Sequence, residues 1–536
     1  MMQEADFVVV GGGTAGCVLA GRLTEDPKLN VCLLEAGKPD NSWRIQVPLG
    51  FAFTVPTRQF NWAFETVPQA GLNGRRGYQP RGKILGGSSS INAMMYIRGH
   101  RCDYDHWAAL GNSGWGYDEL LPLFRKSESN LDLHDAYHGN GGPLQVSYLR
   151  SPSPFFQLCI DAALQAGFKH NPDFNGAEQD GIGYTQVMQI NGERCSAAKA
   201  FITPNLARSN LRVETNAHAT RILFDGKRAV GVEYRQGGEL RQIRARREVI
   251  ISAGAFQSPQ LLMLSGIGDG AALSQHGIKV LQHLPGVGHN LQDHLDINLN
   301  YRASHPDLIG TDPASALALL RGILPYRRER RGIWTSNFAE VNCFFKSDPA
   351  LPAPDLQIEI SRGITNDHGR KKVFVRGFCV IVTVLRPKSV GSVSLASADP
   401  TAAPLIDPNF LSHPDDSELF IKGIRMARRI IASPLLDQYR GQELYTGHAQ
   451  SDDEIRAVLR QRADTNYHPV GTCKMGIDAM AVVDPQLRVY GVQGLRVVDA
   501  SIMPTLIGGN TCAPSIMIGE KAAQLIQSQA SSPGRE

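Results

Sequence analysis

His468 stands in Tyr467-His468-Pro469-Val470-Gly471-Thr472-Cys473-Lys474-Met475-Gly476, and Asn510 follows in Gly508-Gly509-Asn510-Thr511. An imidazole that titrates near neutrality can take a hydroxyl proton, and a carboxamide can donate to the oxygen that is left. Pro469 biases His468 towards an extended backbone, which favours a fixed presentation. At the other end of the chain the apolar run Phe7 to Val10 leads into Gly11-Gly12-Gly13-Thr14-Ala15-Gly16, and Val31-Cys32-Leu33-Leu34-Glu35 follows. The spacing reads as strand, tight turn, helix, strand. Gly11 allows the turn, Gly13 lets backbone N–H groups approach a pyrophosphate, and Gly16 lets helix and strand pack closely. The helix N-terminus then faces the anion. Glu35 ends the second strand, where a carboxylate accepts from ribose hydroxyls and repels a 2′-phosphate.

A second glycine-rich stretch, Arg81-Gly82-Lys83-Ile84-Leu85-Gly86-Gly87-Ser88-Ser89-Ser90-Ile91-Asn92, concentrates N–H and hydroxyl donors that suit phosphates or a polar ring edge. A third, Gly254 to Gly268, reads as a turn into a helix ended by glycine. Two other readings fail on spacing. His289, Asp293 and His294 are metal-ligand types, but not at the spacing of a recognised cage, and no metal is expected. Ser88 to Ser90 with His468 could suggest a hydrolase, but there is no G-x-S-x-G elbow.

These side chains need a scaffold larger than one core. At 536 residues the chain exceeds the size at which single cores stop growing, about 250–300 residues, so at least two domains are expected. Hydrophobic content of 42% and charged content of 20% are those of an ordinary globular protein. The net charge of +4 is small and scattered, which argues against nucleic acid as a partner. The nine cysteines form no CxxC pair and read as reduced thiols. Met1 to Asp6 run straight into the first strand without a signal-like segment, and no run of 18 apolar residues occurs, so a cytoplasmic location is expected. One segment qualifies this. Ala316 to Leu324 is apolar apart from Arg321 and precedes Tyr326-Arg327-Arg328-Glu329-Arg330-Arg331, a pattern for either an exposed amphipathic helix or peripheral contact with an anionic membrane.

An apolar strand with a glycine turn at Glu248 to Gly254 and another strand at Leu495 to Ala500 complement the opening unit, so the nucleotide-binding sheet is drawn from distant segments. Runs between 210 and 250, including Leu211 to Glu214, alternate between glycine turns and read as an antiparallel meander. Residues 354 to 397 are β-rich and are assigned to a second domain. Helical periodicity marks 414 to 462, and the tail after Ser528 is small, polar and expected to fray.

Together these segments resemble the glucose-methanol-choline (GMC) family of flavin-dependent oxidoreductases. Further matches are Tyr137-His138-Gly139 with Gly142-Pro143, Leu284 to His294, Arg386-Pro387-Lys388-Ser389 with Gly391, and Gly494 to Pro504, in family order from about Asp6 to Ile526. The resemblance implies an α/β protein with a Rossmann-like, discontinuous FAD-binding domain and an α+β domain whose antiparallel sheet binds substrate. It places residues 1–300 mostly in the first, 301–464 mostly in the second, and returns 465–536 to the first, with the family's C-terminal part at about 386–525. It implies FAD rather than NAD, and it assigns His468 as base and Asn510 as the group that positions the substrate hydroxyl. Gly11, Gly13, Thr14, Ala15, Gly16, Glu35 and Ala36 are expected at the ADP half, and Ala219 at adenine. Gly86, Ser88, Asn92, Ala93, Asp499, Ala500 and Thr511 are expected near the pyrophosphate, ribityl chain or flavin ring. Ile91 stands where some members bond a histidine to flavin, so noncovalent FAD is expected. Cys512 departs from the asparagine often found there. The implied activity is oxidation of a primary alcohol to an aldehyde, with a quinone or other acceptor taking the electrons. An oxygen-using oxidase is the alternative, and a flavin-containing hydroxynitrile lyase a more distant one. The resemblance leaves the alcohol open, because choline would need an aromatic pocket with a carboxylate, and the sequence does not place Trp334, Phe338, Glu340 or Phe344 in one.

Overall fold

The computed structural model describes residues 3 to 530, so the tail expected to fray lies, beyond its first two residues, outside the described chain. Its first sheet is built around β1 (Gln3–Val10), whose residues from Ala5 onward are all buried. A strand covered on both faces must be apolar along its length, and Phe7 to Val10 are. Beside it lie β2 (Val31–Leu34) and, at the edge, β3 (Leu211–Glu214), both parallel. This corrects the reading of Leu211 to Glu214 as part of an antiparallel meander. Alternation alone does not fix a partner. Here the Asn210 side chain donates to the carbonyls of Asp26 and Leu29, and its own carbonyl accepts from Val31 N, which locks β3 alongside β2.

The meander is formed by β4 (His218–Asp225), β5 (Arg228–Gln236) and β6 (Glu239–Ile251). β6 is long enough to serve two arrangements. Its first half pairs antiparallel with β5, and its second half runs parallel between β1 and the strand Leu495–Val497. Segments from both ends of the chain therefore meet in one sheet. Two helices leave this sheet at glycines: α1 (Thr14–Leu23) follows β1, and α2 (Gly254–Leu264) follows β6.

A second, antiparallel sheet centres on β7 (Leu295–Arg302), β8 (Ala339–Phe345), β9 (Leu356–Ser361) and β10 (Arg376–Val384), in the order β7-β10-β9-β8. Apolar residues of these strands pack with Phe420, Ile424 and Ile431 on the inner face of an amphipathic helix in the segment read as helical, which runs from Pro414 to Ile431. Full burial of such a side chain contributes about 1.5–3 kcal/mol. Between β7 and β8, α3 (Pro313–Glu329) has only Ser315 and Tyr326 buried. The chain closes with a helix over Cys512–Ala530, which packs against α1. No described helix is long and apolar enough to cross a membrane. All nine cysteines are free.

Candidate active site

The two sheets share one cavity of about 590 Å³. One end is the opening glycine turn. Gly13 caps α1 without any side-chain bond, so the first-turn N–H groups are left for a ligand. A Cβ on Gly11, at φ +106°, would lie 2.3 Å from Ser252 O, and one on Gly16 would lie 2.0 Å from Gly11 O. Those two glycines serve chain packing. A Cβ on Gly13 would meet only Ser252 O at 3.7 Å and would otherwise project into the cavity. The space at Gly13 therefore belongs to a ligand. Beside it the Glu35 carboxylate accepts from Gly12 N at 2.9 Å and Gly37 N at 2.7 Å, and burial raises its pKa to about 7.

Of the residues expected at a dinucleotide, Gly11, Gly13, Thr14, Ala15, Glu35 and Ala36 line this end, and Ala219 lines the wall beside them. Ser88, Asn92, Ala93, Asp499, Ala500 and Thr511 line the cavity further along. Gly16 and Gly86 do not. Gly86, at φ +89°, donates to Gly12 O and presses against Ser90, which leaves its neighbour Gly87 at the cavity wall against Gly13. Ile91 and Cys512 also face the cavity. The Cys512 thiol is kept neutral by burial, its pKa pushed up to about 11.

His468 and Asn510 lie at the other end, with His468 Nε2 3.2 Å from Asn510 Nδ2. The tautomer of His468 follows from its second neighbour. His294 Nε2 lies 2.9 Å from the Leu385 carbonyl, which can only accept, so that nitrogen carries the proton. Burial lowers the His294 pKa to about 4, so the ring is neutral and its Nδ1 accepts. His468 Nδ1 is 2.9 Å away and must donate. Its Nε2 is left as a lone pair towards Asn510 and the cavity. Burial, then the neighbouring His294 and Arg81, hold the His468 pKa well below the ordinary value. The ring is therefore an unprotonated base at neutral pH.

The backbone at this point is held from outside. Tyr467 adopts φ +70°, a left-handed conformation that costs a bulky residue about 1–3 kcal/mol. Asp293 offsets that cost: its Oδ1 accepts from His468 N at 2.8 Å and its Oδ2 from Thr465 Oγ1 at 2.6 Å, while Arg81 donates to Tyr467 O. Asp293 and His294, set aside in the sequence as metal-like types at the wrong spacing, thus orient His468 from adjacent positions. Their signal was that they close the family-like segment Leu284 to His294, but nothing in spacing links them to a residue so distant in the chain.

The wall contributed by the second sheet carries two carboxyls missed in the sequence, Asp296 and Glu359. Burial raises both, Glu359 to about 7, and Glu359 raises Asp296 further. Among the residues weighed for a cation pocket, Phe338 lines the cavity. Glu340 is instead buried against Ser336 and Ser153 N, and Phe344 packs on Phe174. Trp334 donates to Leu319 O, against α3.

Family models described as GMC oxidoreductase match residues 5–296 and 387–519. Alcohol dehydrogenase (acceptor) of Pseudomonas putida is 47% identical over 525 residues, covering 97% of this chain and 95% of its own. Mitochondrial choline dehydrogenase of Homo sapiens is 45% identical over 537 residues, covering 98% and 90%. The crystal structure of pyridoxine 4-oxidase from Mesorbium loti matches with a TM-score of 0.88 at 31% identity, covering 98% of this chain and 99% of that one.

Proposed function

Because the chain belongs to the GMC oxidoreductase family, we propose that it oxidises a primary alcohol to the aldehyde, with His468 as base and Asn510 positioning the hydroxyl. It is an enzyme of the alcohol- and choline-dehydrogenase type, acting on CH–OH donors, and its cofactor is FAD. The observation that carries the mechanism is the unprotonated Nε2 of His468 beside Asn510.

Bound FAD supplies the hydride acceptor. The N–H groups after Gly13 would hold its pyrophosphate, Glu35 would accept from its ribose, and Ala36 and Ala219 would border the adenine. Ser88, Asn92, Ala93, Asp499, Ala500 and Thr511, which line the cavity further along, would approach the pyrophosphate, ribityl chain or ring. Ile91 offers no nucleophile, which supports noncovalent attachment. His468 Nε2 accepts the hydroxyl proton, and His294 keeps the opposite nitrogen protonated so that Nε2 stays available. One Asn510 N–H reaches His468, and the other is free to donate to the substrate oxygen as charge develops there. Electrons leave to a quinone or another acceptor rather than to oxygen, a reading supported by the Pseudomonas putida relative's name.

The Asp296 and Glu359 carboxyls favour, within this class, an alcohol that also bears a cation. A cation drawn against them restores their ionised form, as an opposite charge does for any buried carboxyl. The test is the visible spectrum of holoprotein under anaerobic conditions, with choline and neutral primary alcohols added in turn. We expect one of them to bleach the wild type, and a His468→Ala variant to keep its flavin but bleach about 10²–10⁴-fold more slowly. Equal rates in the two proteins would remove His468 as base. Faster reduction by neutral alcohols than by choline would remove the cationic substrate.

A further inference from the structure

We propose that α3 and the segment Lys371–Val375 form a docking surface for an anionic lipid bilayer, with the cavity opening turned towards the lipid. The inward face of α3 is set by Leu319, Gly322 and Tyr326, which rest on the protein, Gly322 against Ile333 and Trp334. The opposite face carries Leu317, Leu320 and Leu324, at i, i+3 and i+7, with 45%, 64% and 54% of their surface exposed. Only Ser315 and Tyr326 of the helix are buried, while three of its four leucines face solvent, the reverse of a helix that packs only on its own protein. Phe374, 77% exposed, lies on the neighbouring segment, which is tied to the start of α3 by the bond from Thr311 Oγ1 to Val373 O.

Cations frame this apolar stripe. Arg321 and Arg328 share the outward face, Arg327 and Arg331 follow at its end, and Lys372 stands beside Phe374. None of the five makes an ion pair among the described residues, and Glu329 is the carboxylate within the run. Leucines with unpaired arginines at their flanks are the pattern of a helix lying in a lipid headgroup region, where apolar side chains enter the acyl boundary and cations meet anionic headgroups.

The position gives the surface its consequence. Ile309, Gly310 and Thr311, just before α3, line the cavity together with Lys371, Lys372 and Val373. Thr311, Lys371 and Lys372 are exposed, so they mark its opening. Docking therefore brings the opening to the bilayer surface, where molecules dissolved in lipid can enter without crossing bulk water. This inference does not depend on which alcohol is oxidised.

The experiment is co-sedimentation of the full-length holoenzyme with phosphatidylcholine vesicles containing increasing phosphatidylglycerol. Binding is expected to rise with phosphatidylglycerol and to fall with added salt. A Leu320→Glu/Leu324→Glu double variant is expected to lose binding at least about tenfold, since each buried leucine is worth roughly ten- to a hundredfold in partition. Its turnover with a soluble dye stays at the wild-type value. Absence of wild-type binding to anionic vesicles, or equal binding by the double variant, would overturn the proposal. So would a wild-type dimer in sedimentation analysis that the double variant converts to monomer, because the leucines would then be a contact between two copies.

Discussion

His294 touches no reacting atom in this scheme, yet it decides which nitrogen of His468 is free. Replacing it with Ala removes the acceptor for His468 Nδ1–H and leaves the ring able to rotate or exchange tautomers. The expected result is a fall in kcat of about 10–100-fold, the range seen when a group that orients a reactive side chain is lost. The pH profile distinguishes this role from a merely structural one. His468 works unprotonated, so activity is lost as pH falls through its pKa. Burial and the neighbouring His294 and Arg81 put that pKa below the ordinary value. Wild-type kcat/KM is therefore flat at neutral pH, with its acid limb well below 6.5. In His294→Ala one lowering influence is gone, and the limb moves up in pH. Glu35 makes a second prediction at this scale. Its pKa of about 7 means that the charged acceptor form is lost as pH falls below neutrality. FAD binding to apoprotein is expected to weaken between pH 8 and pH 6, and Glu35→Ala to weaken it about 10–100-fold at pH 8, as for a lost bond to a charged acceptor. Titration followed by flavin fluorescence reads both.

Among the elements, the segment containing Tyr137-His138-Gly139 takes its meaning from a buried ion network. Glu128, fully buried, accepts from Arg98 at 2.7 Å and from Gly139 N at 2.8 Å. His138 lies between Glu128 at 3.1 Å and Asp173 at 3.0 Å. Despite the desolvation that opposes it, this pair of carboxylates raises the His138 pKa to about 9. A raised histidine adds stability that is fully present below its unfolded value of about 6.5 and is lost as pH rises through 9. The melting temperature of wild type relative to His138→Asn is therefore expected to shrink between pH 7 and pH 9.5. An unchanged difference would show that His138 is neutral in the fold. The same segment marks a limit of sequence reading. The glycines around His138 were legible as a motif, but its partners Glu128, Asp173 and Arg98 lie outside the motif. β3 is the reverse case: alternation in Leu211 to Glu214 showed a strand, and only the Asn210 side chain determines that its neighbour is β2. Gly11 and Gly16 were legible with their reasons, because a Cβ at either would lie 2.0–2.3 Å from a backbone oxygen, which admits no other residue.

At the scale of the whole molecule, the cavity is where separately folded segments become one object. Its walls come from the turn after β1, the loop at Ser88 to Ala93, β4, α2, β7, β9, and the chain around His468, Asp499 and Asn510. The sequence could place the glycine turn, His468 and Asn510 because each sits in a local pattern. It could not place Asp296 or Glu359, which face the cavity together only when β7 and β9 are set on either side of β10, nor Asp293, which acts through the backbone of His468. Occupation of this cavity by FAD must then stabilise the contacts between the sheets as well as the first sheet alone. A ligand that binds only the folded form adds RT ln(1 + [L]/Kd), about 2.7 kcal/mol at a hundredfold excess over Kd. For a chain of this size that corresponds to a rise of about 2 degrees in melting temperature. Removing FAD is expected to lower the main transition by at least that much, and returning it to restore both the transition and slow hydrogen exchange in β7 and β9 together with β1. Protection regained in β1 alone would mean that FAD leaves the second sheet untouched, and the carboxyls at Asp296 and Glu359 would then lie too far from the flavin to select its substrate.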